Sequence, residues 1–593
     1  MQQKKLTLAL AAVGLISLLA ACGGGGGSSG SSTGGTSVVP TAKLGLVNLN
    51  LTDGPSDVFN HVWVTVKAVS FHTDPNAVWS NADATWQTTT LPTPITLDLA
   101  QLNNGLMNDV FANLSLPEGT YKQIRFFFVS DSDALASSAQ AISDNETTPQ
   151  PLQWNDQVEY VNASGVVAEA PLEIANPVQG IQLQGTFTVT NGAPLNIATD
   201  FDLDKIVVPF RHGSMQSFTM KPDLAYFNLS NSGGISGNVD ASKLCTSGST
   251  SAPAANCAFN LVVHAEAISA DGTRYQDIRS TSVKPDGTFT IAPLPITDAS
   301  GNAISYDIVV RGRQMQTLMI TGVKPAGTYA FASNTETLTG ATQLQASAAP
   351  LPITIVNEYG TQLSSALNPL TAGHLVFEQT PTGGLPHEIR WAATNPFTGL
   401  IDRGGMAHWN QFFWMANSGL SVAPYSASGA LTFAAVTPVE GTGNYSVIAN
   451  EHAYYNFGSA VSLLSPLPNL TSVLFTANAP TLQSNVQSGT VTGTVSMGSI
   501  GAFTSAQIVV ARNGAIITSQ DIPAANWVAN GTYQYSISGI GAGSATTALP
   551  GAYYYAYLRL DDGAGHHKIV PMSGYIDLRS TNSVTGMNVT VAL

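Results

Sequence analysis

Charged residues are scarce in this chain of 593 residues. Only 10% of its positions are Asp, Glu, Lys or Arg, against about 25% in ordinary soluble domains. Acidic residues outnumber basic ones by 37 to 22, the formal net charge is −15, and the basic residues form no cluster. Such a chain lacks the positive surface that binds phosphate backbones, so we expect no nucleic-acid partner.

Long apolar runs are also lacking, apart from one near the start. Residues 6–19 are predominantly apolar, follow two lysines, and are too few to cross a bilayer. The next residues complete Leu19–Cys22, a Leu-Ala-Ala-Cys sequence that resembles the lipobox of bacterial lipoprotein signals. The resemblance implies cleavage of residues 1–21 and lipidation of Cys22, and Gly23 at the next position implies the outer membrane. An ordinary secretory signal is the alternative.

Glycine and serine dominate residues 22–38, which begin with the lipidated cysteine. This composition cannot bury a core and therefore predicts a flexible tether. We expect the lipid to be the link to the membrane, with the folded part facing the periplasm or the cell surface.

Cysteine is nearly absent, and Cys245 and Cys257 are the only two besides Cys22. An even pair in an exported protein, separated by Ser, Thr, Ala and Gly, predicts a disulfide that closes a loop. Such a loop contributes about 3 kcal/mol in the chain-entropy model. A metal site is the alternative, with His264 as the nearest further ligand.

Alternation of residue types predicts strands rather than helices in most of the chain. Apolar and polar side chains alternate in residues 62–67 and 123–128, and turn residues dominate Thr52–Asp57 and Pro117–Thr120. One short helical stretch is predicted at Leu99–Ala112. We therefore expect an all-β chain.

Several short motifs follow one another in the first third of the chain. They are Leu49–Pro55, Val62–Val69, Leu97–Leu99, Leu116–Arg125 and Asp200–Val207. In this order they resemble bacterial lipoproteins that carry the domain of unknown function 4382. The resemblance implies a β-rich, surface-exposed module, and it supplies no activity because the family has none assigned.

Four strand-like segments recur downstream in the same order and at similar spacing. The matched pairs are Ile235–Val239 with Val491–Val495, Asn260–Val263 with Gln507–Val510, Asp286–Ile291 with Asn530–Tyr535, and Tyr306–Arg311 with Tyr554–Arg559. The pattern predicts immunoglobulin-like β-sandwiches. The opening strand and the Asp-Gly-Thr-Phe signal resemble carboxypeptidase-regulatory-like modules, which are non-catalytic.

The predicted organisation is therefore all-β and multidomain, with tandem β-sandwich modules behind the leader and tether. The predicted segments are a signal peptide (1–21), the tether (22–38), a β-rich domain (39–232), a sandwich with a disulfide (233–340), a third β-rich module (341–484) and a last sandwich (485–593). We expect the modules to follow one another as a rod.

Catalytic motifs are missing from the sequence. Outside the Gly/Ser tether it contains no G-x-S-x-G elbow, and His387–Trp391 begins like a zinc-protease helix but has Trp391 where the second histidine must stand. Asp561–His567 carries two adjacent histidines, which could take a metal, but its composition predicts a hairpin turn. We therefore predict a non-enzymatic protein without a cofactor.

Alternating aspartates offer a further pattern suited to a metal. Asp200, Asp202 and Asp204 would share one face of a strand, where their oxygens could bind calcium, and Asp131 with Asp133 is a second candidate. The alternative is that these carboxylates are solvated while the residues between them face the core. We adopt the interpretation that the carboxylates are solvated.

Aromatic residues are concentrated in the third module. Trp391, Trp409 and Trp414, with His452–Tyr455, could stack against sugar rings, or they could fill the core of a sandwich. The main hypothesis is thus a membrane-anchored surface lipoprotein that binds or adheres to a protein or glycan ligand. A carbohydrate-binding or glycan-enzyme accessory protein is the alternative.

The carbohydrate alternative predicts that glycan binding depends on the tryptophans. Trp409→Ala and Trp414→Ala should each reduce binding on a glycan array, because an aromatic face contacts the apolar face of a sugar. No binding by the unaltered protein would contradict this alternative.

Overall fold

Strands form nearly all of the regular structure in a computed structural model of the chain. The prediction of an all-β, multidomain protein is confirmed. The structure describes residues 43–56, 59–142, 151–161, 167–174, 177–212, 215–220, 224–244, 259–313, 317–326, 336–337, 351–359, 373–393, 408–415, 420–426, 431–436, 446–451, 465–466, 472–477, 487–512, 515–549, 552–563, 567–572 and 574–593.

Twelve strands and two single-turn helices build what we call the N-terminal domain. The elements are β1 (Leu44–Thr52), β2 (Phe59–His72), β3 (Gln87–Asp98), β4 (Asn108–Pro117), β5 (Gly119–Phe128), α1 (Ser137–Gln140), β6 (Gln157–Val161), β7 (Val167–Glu173), β8 (Ile181–Val189), β9 (Leu195–Asp200), α2 (Leu203–Ile206), β10 (Val207–His212), β11 (Met215–Met220) and β12 (Ala225–Asn228).

Two sheets enclose the core of this domain. Four strands pair in the order β12-β9-β1-β4, and eight strands form a second sheet in which β2 lies between β6 and β5 and also pairs with β3. The predicted strands at residues 62–67 and 123–128 lie in β2 and β5. Val62, Val64 and Val66 are fully buried, as are Phe126 and Phe128.

The predicted helix at Leu99–Ala112 is wrong. Only Leu99–Gln101 form a helical turn, and β4 begins at Asn108. Asn104 and Gly105 between them have φ values of 56° and 75°. This left-handed backbone ends the turn, although the apolar spacing suited a helix.

Three groups of strands follow, which we call the first, second and third copies. The first copy contains β13 (Ser232–Asn238), β14 (Phe259–Ile268), β15 (Tyr275–Ser282), β16 (Thr288–Pro295), β17 (Tyr306–Arg313), β18 (Thr317–Val323) and β19 (Glu336–Thr337). The second contains β20 (Leu351–Tyr359), β21 (Gly373–Gln379), β22 (His387–Ala393), β23 (His408–Met415), β24 (Leu420–Pro424), β25 (Ala434–Val436), β26 (Ser446–Glu451), β27 (Ser465–Pro466) and β28 (Ser472–Ala477). The third contains β29 (Gln487–Ser499), β30 (Ser505–Arg512), β31 (Ala515–Asp521), β32 (Thr532–Ala542), β33 (Tyr553–Asp561), β34 (His567–Pro571), β35 (Ile576–Asp577), β36 (Ser583–Val584) and β37 (Val589–Ala592).

All three copies have the same strand pairing. In the first copy a small sheet, β16-β13-β19, accompanies the larger order β18-β17-β14-β15; the third copy repeats this as β32-β29-β36 and β34-β33-β30-β31. The repeat predicted from the sequence therefore has a structural counterpart. The second copy also repeats it, as β23-β20-β28 and β27-β26-β21-β22, which the sequence did not suggest.

The first and second copies share one ten-stranded sheet. β15 meets β22 in parallel at Tyr275 and His387, whose rings stack with centroids 4.4 Å apart. At the other edge, β24 of the second copy pairs in parallel with β18 of the first, and Tyr425, Leu431 and Phe433 beside it pack on the core of the first copy. The hairpin β24–β25 of the second copy thus adds two strands to the larger sheet of the first copy.

The N-terminal domain contacts both ends of this series. Arg279 of the first copy bonds to Thr52 and Asp53, and Arg559 of the third copy bonds to Glu173. The expectation of a rod did not include the second of these contacts, by which the last copy meets the first domain. Buried ionic partners on the N-terminal domain hold both contacts.

Two further sequence expectations concern the chain as a whole. Among the residues that the structure describes, no helix has the length and apolar character needed to cross a membrane. Lys43–Leu593 form one compact unit, and the domain boundaries within it remain predictions.

The third copy predicts a sharp steric effect at Gly493. A Cβ atom there would overlap the Met587 carbonyl and lie 2.8 Å from the Tyr535 hydroxyl oxygen. We expect Gly493→Ala to lower the free energy of unfolding by about 1–3 kcal/mol, measured by calorimetry, because the small sheet must shift. Gly119→Ala is the control, since no atom lies within 4 Å of its Cβ. Equal effects of the two substitutions would contradict the steric argument.

Candidate functional site

Five carboxylates cross five neighbouring strands of the ten-stranded sheet. Glu266 on β14 lies directly opposite Asp307 on β17 and Asp277 on β15. Glu388 on β22 lies opposite Glu378 on β21. The backbone N–H of Asp277 donates to Glu388 Oε2 at 3.1 Å and so connects the two sets. We call these five residues the acidic row.

The acidic row is enclosed rather than solvated. Glu266 is 0% exposed, and the exposed fractions of the Asp307, Glu378 and Glu388 residues are 5% or less. The Asp277 side chain is 2% exposed. Like charges that face each other across strands destabilise a sheet, so this row requires compensation from elsewhere.

Part of that compensation comes from the N-terminal domain. α2, which contacts β22, carries Lys205, and its Nζ lies 2.8 Å from Asp202 Oδ2 and 3.2 Å from Asp277 Oδ2. Burial alone would lower the pKa of Lys205, but the neighbouring carboxylates outweigh it and raise this pKa well above its ordinary value. Lys205 therefore joins the domain to the acidic row as a cation.

Other partners come from the sheet itself. Arg274 Nη1 lies 3.1 Å from Glu378 Oε1, and His387 Nε2 lies 3.0 Å from Asp307 Oδ2. His264 Nδ1 lies 3.3 Å from Asp277 Oδ2, while its Nε2 accepts from Arg311. A neutral imidazole has one nitrogen that donates and one that accepts, as this arrangement requires. Burial likewise favours the neutral ring, because it lowers the pKa of His264.

Arg279 forms the second ionic contact between the same two parts. Its Nη1 lies 2.7 Å from Asp200 Oδ2, and its Nη2 donates to Thr52 Oγ1 and to the Asp53 carbonyl. The guanidinium is 1% exposed and lies over the Phe227 ring. Burial, together with the charges of Asp200 and Asp202, raises the pKa of Asp53 well above its usual value.

The pKa values along the junction differ in direction. Burial raises the pKa of Glu388 to about 7 and that of Asp202 to about 6. Burial also acts to raise the pKa of Asp277, but Lys205 and His264 outweigh it and lower this pKa. The junction thus contains Asp277, whose ionised form is favoured, beside carboxyl groups whose ionisation is opposed by burial.

A separate ionic junction joins the N-terminal domain to the third copy. Arg559 Nε lies 2.8 and 2.7 Å from the two carboxylate oxygens of Glu173, and Arg559 Nη1 lies 3.1 Å from Asp561 Oδ2. The Arg559 side chain is 0% exposed. Nearby, Gln179 donates to the Tyr575 hydroxyl at 2.8 Å. This is the geometry of a hydrogen-bonded buried pair, whose loss on one side is costly.

The predicted calcium residues lie where the N-terminal domain meets the first two copies. Asp200 ends β9, and α2 begins at Leu203, so the expectation that Asp200, Asp202 and Asp204 share one face of a strand is wrong. The chain turns here to bring Lys205 back toward Asp202. Asp200 and Asp202 are buried beside Arg279 and Lys205, so the interpretation that they are solvated is wrong, while Phe201 and Leu203 between them are in the core as that interpretation expected. The side chain of Asp204 lies outside the description.

Asp131 and Asp133 also differ from the expectation of a shared site. Asp133 is exposed, whereas Asp131 Oδ1 accepts from the backbone N–H of Asp156. Burial and the Asp156 charge raise the pKa of Asp131, and burial raises that of Asp156 as well. Among the described residues, no group of three or more His, Cys, Asp or Glu is arranged to hold a metal ion.

Several other predicted residues are placed only in part. Cys22, Cys245 and Cys257 lie outside the described residues, so lipidation and the disulfide remain predictions. Trp391 lies on β22, while Trp409 and Trp414 lie on β23 of the other sheet; their side chains are outside the description. The carbohydrate hypothesis therefore remains a prediction.

Two local motifs have clear outcomes. His387–Trp391 lie on a strand, so they do not form the helix on which a zinc-protease motif depends. Asp561 pairs with His567 across β33 and β34, which confirms the predicted hairpin.

Sequence reasoning missed the acidic row and Arg559. Single carboxylates on separate strands carry no local motif, and their opposition depends on strand register. The one available signal was a set of acidic residues inside strands otherwise rich in apolar residues. In this structure these charged groups contact one another and the N-terminal domain inside the protein, and they are enclosed from solvent.

The buried Arg279 pair predicts a large loss of stability when one partner is removed. Arg279→Gln should lower the free energy of unfolding by about 3–5 kcal/mol, because Asp200 keeps a buried charge without its partner. Arg579→Gln is the control, since Arg579 and Asp577 are 46% and 48% exposed and such pairs contribute at most about 1 kcal/mol. Chemical denaturation measures both. A loss at Arg279 no larger than at Arg579 would contradict this role.

Comparison with solved structures yields weak similarities. A leucine-rich repeat protein from Bacteroides thetaiotaomicron VPI-5482 is 10% identical, with 41% of this chain and 26% of that chain covered, at a TM-score of 0.13. A streptococcal ancillary pilin is 9% identical (73% and 98% covered, TM-score 0.13). The pilus adhesin SpaC from Lactobacillus rhamnosus GG is 9% identical (90% and 55% covered, TM-score 0.12). These scores are too low to carry an argument about fold or function.

No curated protein matches the sequence. One family does match, with the description "Domain of unknown function (DUF4382)", over residues 44–222. The match does not extend to the three copies, whose resemblance to carboxypeptidase-regulatory-like modules remains a prediction. Within the N-terminal domain the predicted resemblance is confirmed: residues 44–222 form a DUF4382 domain.

Proposed function

We propose that this protein is an outer-membrane lipoprotein that presents a binding or adhesive surface and is not an enzyme. The sequence supports the anchor through the Leu-Ala-Ala-Cys motif at Cys22 and the Gly/Ser tether behind it. The tether places residues 43–593 outside the lipid without inserting them. A protein or glycan is the ligand class that this proposal implies.

The observation that carries the proposal is the joining of the three copies to the DUF4382 domain. The first two copies share a ten-stranded sheet, and buried ion pairs fasten the domain to the first and third copies. Such joints resist relative motion, because separating them exposes unpaired charges or breaks strand pairing. A stiff scaffold suits display of a surface on a flexible stalk.

The position of the perturbed ionisable groups supports a non-enzymatic role. Glu266, Asp53, Asp202 and Glu388, whose pKa values are raised, are each at most 8% exposed and lie between structural parts. Catalytic acids and bases must reach a substrate, usually in a cleft. These groups are instead enclosed in the interior of the protein.

The anchor predicts that membrane attachment depends on one sulfur atom. Cys22→Ser should move the protein from the membrane fraction to the soluble fraction, because acyl chains can no longer be attached. Fractionation with immunoblotting measures the shift, and Cys245→Ser is a matched control that should stay in the membrane. Membrane retention of Cys22→Ser would contradict lipid anchoring.

Orientation is tested on intact cells. Protease added outside should digest the chain if it is displayed at the surface, while a periplasmic marker protein stays intact. Protection of the chain until the outer membrane is opened would contradict surface display and leave the anchor itself unaffected.

A further inference from the structure

Glu266 stands out within the acidic row because its carboxyl group is both enclosed and unmatched. The residue is 0% exposed, and among the described residues neither carboxyl oxygen has a hydrogen-bond partner. Its cross-strand neighbours on both sides, Asp307 and Asp277, are also carboxylates. Asp277 Oδ1 likewise lacks a hydrogen-bond partner in the described part of the chain.

Charged and titratable groups surround Glu266. The carboxyl groups that act on it are Asp277 on β15, Asp307 on β17, Glu378 on β21 and Glu388 on β22, and Glu266 in turn acts on Tyr275 of β15. The other charged and titratable groups of the junction contact these carboxyl groups or one another; they are His264 on β14, Arg274 on β15, Arg311 on β17, His387 on β22, and Lys205 with Asp202 at α2. Each cation among them already has another partner. Lys205 lies between Asp202 and Asp277, Arg274 contacts Glu378, and Arg311 contacts His264.

An ionised Glu266 would therefore add a charge that no cation in the described part of the junction pairs with. An uncompensated buried carboxylate is so costly that the group binds a proton instead. We infer that Glu266 holds a proton in the folded protein, and that the junction between the DUF4382 domain and the first two copies is thereby sensitive to pH.

The sign of the dependence follows from the proton balance. Burial, reinforced by Asp277, Glu388, Asp307 and Glu378, raises the pKa of Glu266 well above its ordinary value. The folded chain then binds more protons than the unfolded chain, so stability is greatest below the unfolded pKa of about 4.5 and is lost as pH rises. Asp277 has a lowered pKa and acts oppositely, with stability lost in stronger acid.

Other groups add to the same trend. Asp53, Asp202 and Glu388 also have raised pKa values, so each favours the folded chain at mildly acidic pH. Stability should therefore be greatest at mildly acidic pH, above the loss caused by Asp277 and below that caused by the groups with raised pKa values. The contribution of Glu266 to this pH dependence of stability is therefore measured by substituting it.

The test compares the melting temperature of the full chain, purified in detergent, at about pH 5 and about pH 8. For the unaltered protein we expect a fall of about 2 °C or more. Glu266→Gln mimics the protonated side chain, so its melting temperature should fall less between the two pH values. Glu118→Gln is the matched control, because Glu118 is exposed; it should fall as much as the unaltered protein.

Infrared spectroscopy measures the protonation state of Glu266 directly, without melting the protein. The difference spectrum between the unaltered protein and Glu266→Gln at neutral pH should contain the band of a protonated carboxyl group. A carboxylate band in its place would overturn the inference. So would the same fall in melting temperature for Glu266→Gln and Glu118→Gln.

Calcium addition separates a proton from a metal ion. If about 1 mM Ca²⁺ raised the melting temperature of the unaltered protein at about pH 8 but left Glu266→Gln unchanged, a cation would neutralise the row and the inference would fail. We expect no difference between the two proteins.

Discussion

The packing of the DUF4382 domain against the three copies depends on a constraint of electrostatics. An ionised group removed from water is tolerated only when a partner of opposite charge and good geometry is enclosed with it. Arg279 with Asp200, Lys205 with Asp202 and Asp277, and Arg559 with Glu173 meet this condition with side chains at most 16% exposed. Each pair has its members on different structural parts or bridges them, so the parts must stay together for the charges to remain satisfied.

Backbone pairing supplies the other half of the cohesion. β24 joins the edge of β18, and β15 meets β22, so neither edge of the first copy's larger sheet is left open. Exposed strand edges invite pairing with other chains, and covering them with a neighbouring module avoids that hazard. Shared sheets and buried ions thus act at the same junction: the strands set the register, and the register brings the carboxylates of the acidic row face to face.

Local patterns predicted the strands well, because alternation and turn residues act over a few positions. The strands at residues 62–67 and 306–311, and the hairpin at Asp561, are examples. Contacts that depend on register were beyond such patterns. Glu266 and Asp277 are neighbours only because β14 and β15 pair with an irregularity beside Glu266. The turn at Asp202 was missed for a related reason. It brings Lys205 to Asp202 and to Asp277, and Asp277 is 72 residues away in the sequence, too far for a local pattern to indicate the contact.

The two ionic junctions differ in the charges that they pair. At the first copy Lys205 of the domain meets Asp277 and Asp200 of the domain meets Arg279, whereas at the third copy Glu173 of the domain meets Arg559. In the aligned strands β17 and β33, Asp307 of the first copy corresponds to Tyr555 of the third, so the third copy lacks one member of the acidic row. The DUF4382 domain presents Lys205 to the acidic row and Glu173 to Arg559. Arg311 of the first copy matches Arg559 of the third in these strands, so an exchange of the two copies would act on the acidic row, where Tyr555 would replace Asp307 and His387 would lose this carboxylate partner. An arrangement that takes the partner away from a buried polar group is disfavoured, and this loss helps to specify the observed arrangement.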